Sequence, residues 1–159
     1  MTKDVTIAAI VENKPGVLHR TSNVFRQRGY NISSISVGQL EDPELSKMTF
    51  TIEADDSVVP QLARQLEKQI DVVEVQVLNS DSIRRELALI KLTAPDAKQR
   101  AEINTTCDIF RGNIVDVSPN TVTVEITDTP DKIEAFMKVV SRFGIKEMSR
   151  TGVAALARG

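Results

Sequence analysis

The sequence has few of the residues on which most catalytic and metal-binding chemistry depends. Its 159 residues include one cysteine (Cys107), one histidine (His19), one tyrosine, five phenylalanines and no tryptophan. With one cysteine the chain cannot form an internal disulfide or a zinc site built from thiolates alone. With so few large aromatic rings it also lacks a platform on which bases or sugars could stack.

Charge and hydropathy exclude further classes of protein. Lysine and arginine number 20 against 22 for aspartate and glutamate, a net charge of −2, which leaves no basic footprint for nucleic acid. No apolar run approaches the roughly 18 residues needed to cross a bilayer. Asp4 and Glu12 flank the first apolar run, which argues against a secretory signal peptide. We expect a cytoplasmic protein, or one of an organelle stroma whose transit peptide is missing from this sequence.

The apolar pattern of residues 1–79 predicts the element order βαββαβ. Alternate residues of Val5–Val11 form one apolar face, which is typical of a strand. A change of apolar spacing in the second strand predicts a bulge there. Asp56 or Ser57 is expected to cap the second helix. The predicted elements are strands at 4–12, 31–40, 47–54 and 70–78 and helices at 14–28 and 56–69.

Residues 80–159 repeat the same plan after a polar linker predicted at 79–86. Thr129 and Pro130 are expected to begin the last helix, and Gly144 to end it. The order βαββαβ is that of the ferredoxin-like unit, in which both helices cover one face of an antiparallel sheet. We therefore predict an α+β fold of two tandem ferredoxin-like domains, residues 1–79 and 80–159. The predicted elements are strands at 87–94, 113–119, 121–128 and 145–159 and helices at 96–112 and 129–144.

No catalytic constellation is evident. His19 lies one turn into the first helix, with no orienting acid or nucleophile placed beside it by the sequence, and is expected at the surface. Cys107 lies on the apolar stripe of the third helix, where a thiol behaves as a small hydrophobic group. No EF-hand spacing, P-loop or dinucleotide fingerprint occurs.

The segment Glu12–Arg20, ENKPGVLHR, is the one candidate binding site. A glycine between strand and helix lets a ligand approach the backbone, and the first helical turn offers free N–H groups at the positive end of the helix dipole. Asn13 before the turn and Asn31 at the start of the next strand add amide groups, so that together they suit a zwitterion. The alternative is that Asn13–Gly16 is merely a capped turn.

Five segments carry a resemblance to a known family. They resemble the regulatory (small) subunit of acetohydroxyacid synthase, also called acetolactate synthase, and are ENKPGVLHRTSNVFRQRGYNISSISVG (12–38), LSKMTF (45–50), RELALIKL (85–92), FRGNIVDVSP (110–119) and SRTGVAALARG (149–159). The first of them is similar to the signature of its ACT domain. The resemblance extends over almost the whole chain, and it implies an ACT domain followed by a second ferredoxin-like domain.

The resemblance also implies a function. A member of this family is not catalytic alone; it binds and activates a large catalytic subunit and confers feedback inhibition by valine or another branched-chain amino acid. No cofactor is expected on this chain, and thiamine diphosphate, Mg²⁺ and FAD are expected on the catalytic partner. ACT domains would pair as a homodimer with the effector between two chains. The effector site implied is Asn13, Gly16, Val17 and Leu18 from one chain and Asn31 and Ile32 from the other.

Two other functions remain open at this stage. The chain could be a free-standing amino-acid-sensing ACT protein that acts on a different partner. It could also be a small hydrolase on the same fold, similar to acylphosphatase. That chemistry needs an arginine and an asparagine around a phosphate-binding loop, and here the sequence supplies Asn13 but no well-placed arginine. The surface that contacts a partner is not apparent; the loop Gln39–Lys47 is a candidate, either as a mobile arm or as a plain hairpin loop.

Overall fold

The computed structural model describes residues 3–159, which form two compact units. The first contains the residues up to Ile83 together with Gly152–Gly159, and the second is Arg84–Thr151. The predicted division lay at 79/80 and assigned the whole C-terminal segment to the second domain. In the structure the last eight residues pack with the first unit.

The first unit is an antiparallel sheet with helices on one face. Its strand order is β2-β3-β1-β4, the ferredoxin-like arrangement, and it confirms the predicted α+β class. The register between β2 and β3 shifts between Ile32 and Ser34, so the predicted bulge is present. The elements are β1 (Lys3–Glu12), α1 (Val17–Gln27), β2 (Ile32–Gln39), β3 (Leu45–Ala54), α2 (Val59–Glu67) and β4 (Val72–Leu78).

The core of the first unit lies between the sheet and its two helices. Phe25 of α1 stacks at a tilt on Phe50 of β3, with ring centroids 4.7 Å apart. Because both rings are fully buried, their contact aligns α1 with the middle of the sheet. The other buried residues of this core are Val5, Ile7, Ala9, Val11, Val17, Val24, Met48, Ile52, Ala54, Val59, Leu62 and Leu66.

The second unit repeats the architecture with the order β6-β7-β5-β8. Its core is centred on Phe136, which meets Phe110 edge-on, and it includes Cys107. Thr129 caps the last helix as predicted, by accepting a hydrogen bond from the N–H of Lys132. The elements are β5 (Ile83–Thr93), α3 (Ala97–Ile109), β6 (Asn113–Val117), β7 (Thr121–Asp128), α4 (Pro130–Val140) and β8 (Ile145–Arg150).

Two local predictions were wrong. A single 3₁₀ turn, Asp56–Val58, precedes α2, and the side chain of Asp55 rather than that of Asp56 or Ser57 caps it. The predicted linker 79–86 is in part strand, because β5 begins at Ile83. Its polar sequence is misleading, since Glu86 is buried and its charge is met by the guanidinium of Arg150. Buried charges are tolerated in this way when they are paired.

The C-terminal segment lies against the first sheet. Val153 and Ala155 are buried with Ala8 of β1 and Leu78 of β4, a cluster separate from the main core of the first unit. Since Ala8 alternates with Ile7 and Ala9 along β1, its side chain is on the face opposite the helices. The segment, which includes the short strand β9 (Ala154–Leu156), therefore covers part of the sheet face that the helices leave open.

Gly152 shows how closely this segment approaches β2. A Cβ atom on Gly152 would overlap the carbonyl oxygen of Ile35, and the N–H of Val153 donates to the Ser34 hydroxyl oxygen at 2.8 Å. Only glycine fits where two backbones approach so closely. Glycine at position 152 is thus a packing requirement.

We expect Gly152→Ala to lower the free energy of unfolding by about 1–3 kcal/mol, since the added methyl group forces the segment off the sheet. The matched control is Gly38→Ala in β2, where no atom lies within 4 Å of the added Cβ; its effect should stay within about 0.5 kcal/mol. Urea unfolding followed by circular dichroism measures both. Equal stability of the two variants would contradict the close packing.

Candidate functional site

The candidate site is built around the turn between β1 and α1. Gly16 is the residue before the helix and adopts φ +83°, a left-handed conformation that favours glycine. It offers no side chain to cap the helix, and the first turn of α1 contains no acidic residue. The N–H groups of Leu18 and His19 have no acceptor within the helix. This leaves a helix N-terminus that is favourable for an anion.

Asn13 fixes the other end of the turn. Its backbone N–H donates to the Glu44 carbonyl at 2.7 Å, and its side-chain Nδ2 donates to the Pro43 carbonyl at 3.0 Å. The amide oxygen of Asn13 remains available for a ligand that brings a donor. The loop between β2 and β3 is therefore bonded to the turn and is a short hairpin loop, not the mobile arm considered above.

Arg20 and Asp71 form an ion pair beside Gly16. Nε and Nη2 of Arg20 each lie 2.7 Å from Oδ2 of Asp71. The Asp71 side chain is 10% exposed and the Arg20 side chain 46%. A Cβ on Gly16 would lie 2.9 Å from Nη1 of Arg20, so the guanidinium packs directly on the backbone of the turn. Nothing in the sequence indicates this pair, because its partners are 51 positions apart.

This geometry bears on the hydrolase alternative. The sequence offered no arginine that was evidently well placed for phosphate, whereas the structure sets the guanidinium of Arg20 against the turn. Its charge is compensated by Asp71, however, and two of its three nitrogens already donate to that carboxylate. A phosphate-binding arginine needs its donors free for the ligand, so the arrangement does not favour phosphate chemistry.

The other two predicted site residues line a groove that extends along α1, from His19 in its first turn to the residues that follow its end. The groove has a volume of about 360 Å³, and Asn31 at its edge is exposed while Ile32 is half-buried. It offers amide, hydroxyl, imidazole and guanidinium groups together with the apolar side chain of Ile32. The groove is lined by His19, Ser22, Asn23, Arg26, Gly29, Tyr30, Asn31 and Ile32.

One chain does not bring the two halves of the candidate site together. Asn13 and Gly16 precede α1, whereas Asn31 and Ile32 follow it. The helix has 11 residues, so its ends are about 16 Å apart. Val17 is buried in the core and can offer a ligand only its backbone, while Leu18 is 45% exposed beside the turn.

The two residues with the greatest intrinsic reactivity are not placed for catalysis. His19 is exposed at the groove, as expected. Cys107 is buried, as predicted, and burial raises the pKa of its thiol.

Within residues 3–159 no group of three or more histidine, cysteine, aspartate or glutamate side chains could hold a metal ion. Among the described helices, none is long and apolar enough to cross a membrane.

Two family models match the chain and divide it between them. Residues 7–74 match the ACT domain of AHAS small subunit-like proteins. Residues 85–159 match the model described as the small subunit of acetolactate synthase. The first match contains both halves of the candidate site. The second corresponds closely to the second unit together with the C-terminal segment.

Similar proteins agree with these models over nearly the full length. The chain is 47% identical over 154 residues to the "probable acetolactate synthase small subunit" of Methanothermobacter thermautotrophicus, covering 96% of this chain and 92% of that protein. It is 43% identical over 155 residues to the acetolactate synthase small subunit of Mycolicibacterium smegmatis, covering 97% and 91%. The crystal structure of the small subunit from Thermotoga maritima superposes with a TM-score of 0.90 at 36% identity, covering 99% and 98%.

We expect the Cys107 thiol of the folded protein to react with an aromatic disulfide reagent about a hundredfold more slowly than free cysteine, because the site must open first. In urea one thiol per chain should react at once. Since the pKa is raised above its ordinary value of 9.0, the native rate should still climb as the pH passes 9. Rapid native labelling at neutral pH would contradict the burial.

Proposed function

The chain belongs to the family of acetolactate synthase small subunits, and we propose that it activates the catalytic subunit and confers feedback inhibition by valine or another branched-chain amino acid. The observation that carries the proposal is the uncapped, acid-free start of α1 at Gly16. It presents backbone N–H groups to solvent, where the carboxylate of a free amino acid could bind.

The residues around the turn suit the rest of a branched-chain amino acid. Leu18, 45% exposed next to the N–H groups, offers apolar surface for an isopropyl or isobutyl group. The Asn13 amide oxygen can accept a hydrogen bond from the ligand's ammonium group. Amides at this position bring no unpaired charge that binding would have to bury. Which branched-chain amino acid binds depends on the shape of the completed pocket.

The second half of the pocket comes from another copy of the chain. Since α1 separates Asn31 and Ile32 from the turn by about 16 Å, a small amino acid cannot touch both halves within one chain. A second chain that sets its Asn31 and Ile32 opposite the turn of the first would close the pocket. The effector would then stabilise the homodimer, since it binds only where two chains meet.

The edge of the first sheet supports pairing between copies. β2, with the sequence ISSISVGQ, is an edge strand that carries no charged residue and no proline. Edge strands of proteins that stay monomeric are usually protected by such residues. The same strand begins at Ile32 directly after Asn31, so pairing along this edge would bring the second half of the pocket to the dimer interface.

Regulation follows from linkage between effector, dimer and catalytic subunit. A ligand shifts an assembly only by its different affinity for two states. Valine at the interface would favour the form of the dimer that lowers the activity of the catalytic subunit, a coupling between two distinct sites. Thiamine diphosphate, Mg²⁺ and FAD belong to that catalytic partner in this scheme.

The decisive experiment mixes this chain with the acetolactate synthase catalytic subunit of the same organism. The rate of pyruvate condensation should rise on addition of the chain and fall again with valine. If the rate does not change when the chain is added, while calorimetry still detects valine binding, the alternative of an amino-acid sensor acting on a different partner is favoured.

We expect Asn31→Ala to raise the valine concentration for half-inhibition about tenfold. A hydrogen bond to a charged group is worth about 1.5 kcal/mol, and 1.4 kcal/mol is a factor of ten. The matched control is Asn104→Ala, an exposed asparagine on α3 of the second unit, which should leave inhibition unchanged. If Asn31→Ala behaves like that control, Asn31 is not part of the pocket.

A further inference from the structure

We propose that Asp71 is a positioning residue of the effector site, because it holds both flanks of the Asn13–Gly16 turn; the inference rests on the proposed function. Its backbone carbonyl accepts from the N–H of Glu12, the residue before the turn, at 2.9 Å. Its carboxylate accepts from Arg20, one helical turn after Gly16. No other described residue bonds to both flanks.

Arg20 transmits this constraint to the backbone. Two of its nitrogens donate to one oxygen of Asp71, which fixes the plane of the guanidinium. The remaining nitrogen, Nη1, would lie 2.9 Å from a Cβ on Gly16, so the group rests against the glycine itself. The ion pair and the glycine turn are therefore in direct contact.

The turn is thereby held from two sides. On one side Asn13 bonds to the carbonyls of Pro43 and Glu44 in the β2–β3 loop. On the other side Asp71, just before β4, bonds to Glu12 and Arg20. Without the contacts to Asp71, the N–H groups of the first turn of α1 can still donate hydrogen bonds, but their direction is no longer fixed. A site whose donors are not preorganised binds its ligand more weakly.

Burial shows which partner sets the position. The Asp71 side chain is 10% exposed, whereas the Arg20 side chain is 46% exposed. The buried Asp71 carboxylate thus has the fixed position, and the Arg20 side chain extends from it to the turn. Asp71 itself does not line the groove at Asn31, so its effect on the effector is indirect.

The test measures valine affinity by calorimetry on the full chain and half-inhibition in the complex with the catalytic subunit. Asp71→Asn keeps the shape of the side chain but removes its charge, and should weaken valine binding at least about tenfold. Arg20→Lys keeps a cation that can reach the carboxylate but lacks the guanidinium that rests against Gly16, so it should lose clearly less affinity than Asp71→Asn. Glu147→Gln, which removes the exposed Lys91–Glu147 pair of the second unit, is the control and should bind as wild type.

If Asp71→Asn does not fold, Arg20→Gln takes its place, since this half-exposed residue can change without burying a new group. The valine affinity of Arg20→Gln should also fall about tenfold. Unchanged valine affinity in Asp71→Asn or Arg20→Gln would overturn the inference. A loss of affinity in Arg20→Lys as large as that in Asp71→Asn would also overturn it, because it would show that the guanidinium itself touches the effector. If the wild type binds none of valine, leucine and isoleucine, the proposed function fails first and this inference fails with it.

Discussion

The burial of one face of β1 beneath α1 constrains the whole candidate site. The strand ends at Glu12, the helix begins at Val17, and both must turn their apolar residues toward the same core. The short connection reverses the chain because Gly16 adopts φ +83°, which a residue with a Cβ attains only at a cost. The start of the helix is therefore exposed and uncapped. Its availability to an anion is a consequence of how the strand and helix pack.

The same helix also separates the binding groups. The turn that is favourable for an anion lies at its start, whereas Asn31 and Ile32 follow its end. If the effector site draws on both, as proposed, it forms only where two chains meet, and effector binding and association then depend on each other. An uncharged edge strand that begins at Ile32 is suited to such a contact. The division of the site thus links the proposed sensing to the proposed assembly.

Several features could be predicted because they depend on neighbours in sequence. The alternation in β1, the apolar stripe of α1, the bulge after Ile32 and the Thr129 cap are all set by residues a few positions apart. The polar stretch before β5 misled the prediction, since Glu86 is buried and its partner Arg150 lies 64 residues further on. Local composition cannot show that a charge is paired.

The sequence by itself determined the βαββαβ order of both units, the glycine turn and the family to which the chain is similar. Hydrophobic periodicity and backbone stereochemistry act over a few residues, so they can be read along the chain. Only the tertiary structure decided that Asp71 holds Arg20 against Gly16, and that the segment after Gly152 covers the open face of the first sheet. These contacts join residues 51 and more than 100 positions apart. The folded sheet brings them together, and no spacing in the sequence encodes that proximity.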